Sequence, residues 1–233
     1  MPSVYSTLFF SLISCASLAF LLLMLVLYKG QLCPGQTGRI QRQLGTLVSL
    51  ITLAALSSIE SQQSSWLSAL ILVAAFAGWA LLFQLNKLKH KRSLKLKLWW
   101  FMGIPMLAAG LVVLNQQPLF LFTYLVCATA LAHWLMVKAK HRLSQFDKVL
   151  PCLGIVSAML SILCLCVYLL AMPQLSQDPQ QIKQFVIVAI LLTLAVLLWL
   201  APQFKKQSPP ASLLLVVVVL SFTSSLAMQG LAT

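Results

Sequence analysis

Between Lys87 and Lys97 the chain places six of its sixteen lysine and arginine residues in eleven positions, with no acid among them. Apolar runs of membrane length flank this stretch, Trp66–Gln84 before it and Leu98–Leu114 after it. A basic loop between two such runs is held on the cytoplasmic side of a bilayer, so it fixes the direction of every other segment. Composition points the same way. With 61% apolar and 8% charged residues, and a mean hydropathy of +0.96, the chain has too few charges to cover a soluble domain, where about 25% is usual. The net charge of +13 comes from short loops beside apolar runs. The positive-inside bias accounts for it, and nucleic acid is not an expected partner.

The apolar runs predict an all-α integral membrane bundle, a single domain over residues 1–233 with eight transmembrane helices. The spans read as Leu8–Tyr28, Leu44–Ile59, Trp66–Asn86, Leu98–Leu114, Leu119–Val137, Leu150–Met172, Gln184–Ala201 and Ala211–Met228. The first lacks a basic leader and a clear small-residue cleavage site, so it reads as a retained helix. At 1.5 Å per residue it reaches about 31 Å, enough for a hydrocarbon core of roughly 30 Å. The second, at about 16 residues, falls short of the ~20 usually needed. Residues 29–43 before it hold Pro34 and three glycines and read as a polar loop. Pro105 predicts a kink near Phe101–Pro105 in the fourth span, and residues 115–118 a tight uncharged turn. The loops after spans one, three, five and seven carry 3, 6, 4 and 2 basic residues, whereas all other loops and both termini carry one, Lys183. This alternation places both termini on the outer (periplasmic) side of a bacterial inner (cytoplasmic) membrane. The helix–basic loop–helix hairpin is the only repetition read from the sequence.

Residues for chemistry are sparse. The acids are Glu60, Asp147 and Asp178; the last two read as a solvated loop charge and a turn residue. Glu60 closes the short second span, before Ser61, Gln62 and Ser65-Trp66. That arrangement predicts a polar notch at the outer interface, with a carboxylate for protons and an aromatic to pack on a ring. Glu60, Ser65 and Trp66 are therefore the candidate residues for binding such a ring. His133 is the one histidine within a span, His90 and His141 lying in basic loops, so a haem held by two histidines is not expected. Cys15, Cys33, Cys127, Cys152, Cys164 and Cys166 form no Cys-x-x-Cys pair and no zinc-ligand spacing; they read as small packing residues. No phosphate loop, nucleophile elbow or metal motif occurs, and no catalytic residue is expected. The six tryptophans mostly fall near span ends and read as an interfacial belt.

Three stretches, Leu25-Val26-Leu27-Tyr28-Lys29-Gly30, Ser64-Ser65-Trp66-Leu67-Ser68 and Leu198-Trp199-Leu200-Ala201-Pro202-Gln203, resemble the membrane-anchor subunit of dimethyl sulfoxide reductase. Helix number, outward termini and the order of these pieces match as well. The resemblance implies a membrane anchor in anaerobic respiration. It would dock an iron–sulfur subunit and, through it, a molybdopterin catalytic subunit, and pass on electrons from quinol. The family's histidine-bearing segment between spans two and three is Ile59-Glu60-Ser61-Gln62-Gln63-Ser64 here, and Ala69-Leu70 replace the Arg-Glu that follows Ser-Trp-Leu-Ser. Catalytic residues do not carry over. The alternative from another class is a small-solute transporter or a membrane assembly factor with no redox role.

Overall fold

The computed structural model describes residues 4–88, 93–139, 146–171, 179–204 and 209–230, with the backbone alone for 146–148. His90, His141 and Asp178 lie outside the described residues, as does the Asp147 side chain. The described residues form eight helices long and apolar enough to cross a membrane. These are α1 (Val4–Lys29), α2 (Pro34–Glu60), α3 (Ser65–Lys87), α4 (Trp100–Gln116), α5 (Leu121–Lys138), α6 (Phe146–Ala171), α7 (Pro179–Phe204) and α8 (Ala211–Gln229). Short 3-10 turns, Leu96–Trp99 and Pro118–Phe120, lead into α4 and α5. Helices satisfy their backbone groups internally, which the bilayer core demands.

The second span needs correcting. It is not a short helix of 16 residues but a full one, Pro34–Glu60, 27 residues long. Pro34, Gly35 and Gly38 of the expected loop lie inside it. Pro34 occupies the first helical turn, where a missing N–H costs nothing, and the Gln36 side-chain oxygen accepts from Cys33 N–H at 3.0 Å. At the other end Gln62 takes a left-handed φ of 52°. Its N–H donates to the Ile59 carbonyl, and the Gln63 N–H donates to Ser58, both at 3.1 Å. That paired closure ends α2 after Glu60. α7 likewise starts before its expected Gln184, again on a proline. α4 runs without interruption through Pro105, and the turn at residues 115–118 falls where expected.

Packing divides the bundle into two rings. α1 packs on α2, α2 on α3, α3 on α4 and α4 back on α1. The same closed circuit joins α5, α6, α7 and α8. The two four-helix units meet chiefly along α1 and α5, with α2 against α5 and α1 against α8 beside that seam. α1 and α5 are accordingly the most enclosed helices: 72% of their most apolar 18-residue stretch is buried, against 28–39% in the others. Their buried faces are built from small residues such as Ser14, Ala16 and Ser17 on α1 and Ala128, Thr129 and Ala132 on α5. Without a hydrophobic effect between helices in lipid, such close approach and its dispersion contacts hold a bundle together. Outward-facing Phe76, Phe83, Phe101, Leu111, Met159 and Leu170 are exposed, as lipid contact requires.

Two tryptophans depart from the interfacial belt. Trp99 and Trp199 are 0% and 1% exposed, because each fills the interior of one unit. Trp66 and Trp79 do lie at the surface.

Candidate functional site

The expected quinol residues sit on the turn between α2 and α3. Glu60 is the last residue of α2, and Ser65 and Trp66 open α3. All three are exposed. Sequence proximity alone brings them together. None of the three lines the cavity between the two units.

That cavity is an apolar space at the seam. It measures about 290 Å³ and is lined by Leu12 and Cys15 of α1, Thr46 and Leu50 of α2, Cys127, Leu131 and Trp134 of α5, and Leu215, Val218 and Phe222 of α8. α1 and α5 form its floor. Leu50 and Val218 lie near the middles of α2 and α8, which puts the space deep in the bilayer. Cys15 and Cys127 both border it, and both are buried, free thiols.

At the end of the bundle shared by the α2–α3 turn, a polar network ties α8 to the α4–α5 connection. Gln117 Nε2 donates to Gln229 Oε1 at 3.1 Å, and Gln229 Nε2 to Gln117 Oε1 at 2.7 Å. The Tyr124 hydroxyl donates to Gln117 Oε1 at 3.0 Å and accepts from Gln229 Nε2. Beneath it Thr123 and Ser161 hydroxyls lie 2.5 Å apart, joining α5 to α6. These groups satisfy one another, as buried polar groups must.

His133 lies where the sequence placed it, in the inner half of α5, and is 1% exposed. Trp199 Nε1 donates to His133 Nδ1 at 2.9 Å, with the rings 5.9 Å apart. The pair links α5 to α7. Among the described residues no group of three or more His, Cys, Asp or Glu comes together as a metal would require.

The opposite end is basic. Lys29, Lys87 and Lys138 close α1, α3 and α5; the Lys87 and Lys138 ammonium groups stand 4.4 and 4.7 Å over the rings of Phe83 and Trp134. There, buried Gln41 of α2 holds the later part of the basic stretch. Its Nε2 donates to the Leu94 carbonyl and its Oε1 accepts from Leu94 N–H, each at 2.9 Å.

Eight membrane-length helices in two packed rings define a multi-pass integral membrane protein whose surface meets lipid. A family described as an integral membrane domain matches residues 3–229, nearly the whole chain, and the chain belongs to that family. No curated protein and no solved structure matches it.

Proposed function

We propose that the chain is the membrane-anchor subunit of an electron-transfer complex of the dimethyl sulfoxide reductase type. It sits in the inner membrane of a bacterium with both termini on the periplasmic side. The observation that carries this reading is the division between the two ends of the bundle. One collects Lys29, Arg39, Arg42, Lys87, Lys97 and Lys138; such an end is retained in the cytoplasm. The other carries Glu60, Ser65, Trp66 and the Gln117–Tyr124–Gln229 network, with Lys183 its one basic residue. That end offers a nearly neutral, polar platform to an iron–sulfur subunit, with the molybdopterin catalytic subunit beyond it. Purification from native membranes tests the reading: both subunits are expected to accompany the chain, and recovery of neither would refute it. The seam cavity favours a second reading, a carrier for a small apolar solute, because its lining is apolar and carriers bind their solutes near mid-depth. Recovery of the chain alone, together with solute uptake, would select that one.

Quinol is the electron donor in this proposal, and Glu60 is the one carboxylate at the outer turn. An exposed carboxylate at a helix end, with no enclosing pocket, is solvated by water and is a poor choice for proton abstraction inside an apolar site. Glu60→Gln is therefore expected to leave quinol-dependent turnover of the whole complex within about twofold of the parent. Selective loss of that rate, with turnover from an artificial donor intact, would instead place Glu60 in the quinol site.

A further inference from the structure

We propose that the groove between α2 and α3 at the basic end binds an anionic phospholipid, its phosphate held by Arg42, Asn86 and Lys87. The groove measures about 380 Å³ and is lined by Arg42 and Gly45 of α2 and by Trp79, Leu82, Phe83 and Asn86 of α3. Trp79 lies about 12 Å deeper along α3 than Lys87. Its Nε1 donates to Thr52 Oγ1 at 3.0 Å and ties the two helices together at that depth. Gly45 supplies the width. It leaves the α2 wall without a side chain, and a Cβ there would stand 3.6 Å from Leu82, an ordinary contact. Arg42, half-buried, belongs to this wall because α2 starts at Pro34. The Lys87 ammonium stands 4.4 Å over the Phe83 ring, which puts a second cation at the rim of the same groove. Arg39, exposed and one helical turn before Arg42, adds a third.

The groove is therefore cationic at its rim and apolar below it, the same division of polarity that a phospholipid carries. Its apolar part opens toward the bilayer, since Trp79 and Phe83 are 51% and 63% exposed. An acyl chain can lie against these rings while the phosphate stays level with Arg42 and Asn86. The guanidinium donates to two phosphate oxygens at once, the ammonium supplies a point charge, and the Asn86 amide adds a donor. Basic pockets between transmembrane helices on the cytoplasmic side hold acidic headgroups in this way. A zwitterionic headgroup would bring its own cation to a rim that is already positive. The positive-inside bias asks only for charge in the loops, and does not call for a half-buried arginine in a groove walled by aromatic rings. This site needs only the chain and its bilayer, so it stands whichever reading of the function holds.

The test uses the full chain in a mild non-ionic detergent, with phosphatidylglycerol or phosphatidylcholine added and the bound lipid counted by native mass spectrometry. About one phosphatidylglycerol is expected to stay on each chain, with a preference over phosphatidylcholine of about tenfold or more. Arg42→Gln combined with Lys87→Gln is expected to lose that preference. Gly45→Leu fills the groove but keeps both charges, and it is expected to lose the bound lipid with an unchanged gel-filtration profile. Lys138→Gln removes a cation from the same end but outside the groove, and it is expected to keep the preference. Equal retention of the two lipids by the parent would overturn the proposal. So would equal losses in Lys138→Gln and the double variant, because the charge of the whole end would then select the lipid. A preference that survives both Gly45→Leu and the double variant would place the lipid elsewhere. Displacement of phosphatidylglycerol by inorganic phosphate would equally overturn it, since the groove would then hold a free anion and not a lipid.

Discussion

Trp199→Ala is expected to produce the largest loss of stability of any single substitution in the second unit. The indole of Trp199 fills the space between α5, α6, α7 and α8. It is 1% exposed and shares a buried cluster with Ala130, Ala195, Leu214 and Val217. It also lies so close to Gly154 of α6 that any Cβ there would overlap the ring. Truncating a buried aromatic of this size typically costs about 3–5 kcal/mol through lost contacts and the cavity left behind. Lipid tails cannot enter a space closed by four helices. The substitution also removes the donor to His133 Nδ1. Thermal unfolding in detergent would read the effect as a fall in Tm. Trp199→Phe separates the two contributions: it keeps most of the packing and loses the hydrogen bond, so its loss is expected to be the smaller, about 1–2 kcal/mol. Equal losses for the two variants would show that the ring's volume is not what holds the unit together.

Gln41→Leu is expected to weaken the basic end of the bundle by about 2–4 kcal/mol. The Gln41 amide is fully buried and meets both backbone groups of Leu94, so it acts as a clamp on the strand of chain that leads from the basic stretch into α4. Leucine fills the volume but leaves an N–H and a C=O without partners, each costing about 1–3 kcal/mol when it stays buried. The released segment can turn toward water, which limits the loss. Hydrogen exchange at the Leu94 amide is the sharper measurement: protection is expected in the parent and lost in the variant. Retained protection would mean that another group holds this segment.

Much of this architecture was legible in the chain. The eight apolar runs and the alternating basic loops each correspond to a feature of the fold, because the bilayer enforces length and charge more strictly than water does. The start of α2 was misread for a physical reason. Gly35, Gly38, Arg39 and Gln41 look like loop residues by composition, yet Pro34 in the first helical turn and Gln36 bonded to Cys33 N–H form a helix start. The same proline signal marks the start of α7. The buried tryptophans were misread because position along a helix does not reveal which face points inward. The added length of α2 lies at its start, so Glu60 still closes the helix, as the sequence has it.

Orientation is the premise on which the docking of any iron–sulfur subunit depends, and a pair of reporter fusions tests it most directly. A reporter active only in the periplasm and another active only in the cytoplasm are each joined after Thr233 and, separately, within residues 89–92. The account predicts periplasmic activity at Thr233 and cytoplasmic activity at residues 89–92. Cytoplasmic activity at Thr233 would contradict it, because the polar end that carries Glu60 and the Gln117–Gln229 pair would then face away from the partner it is proposed to hold.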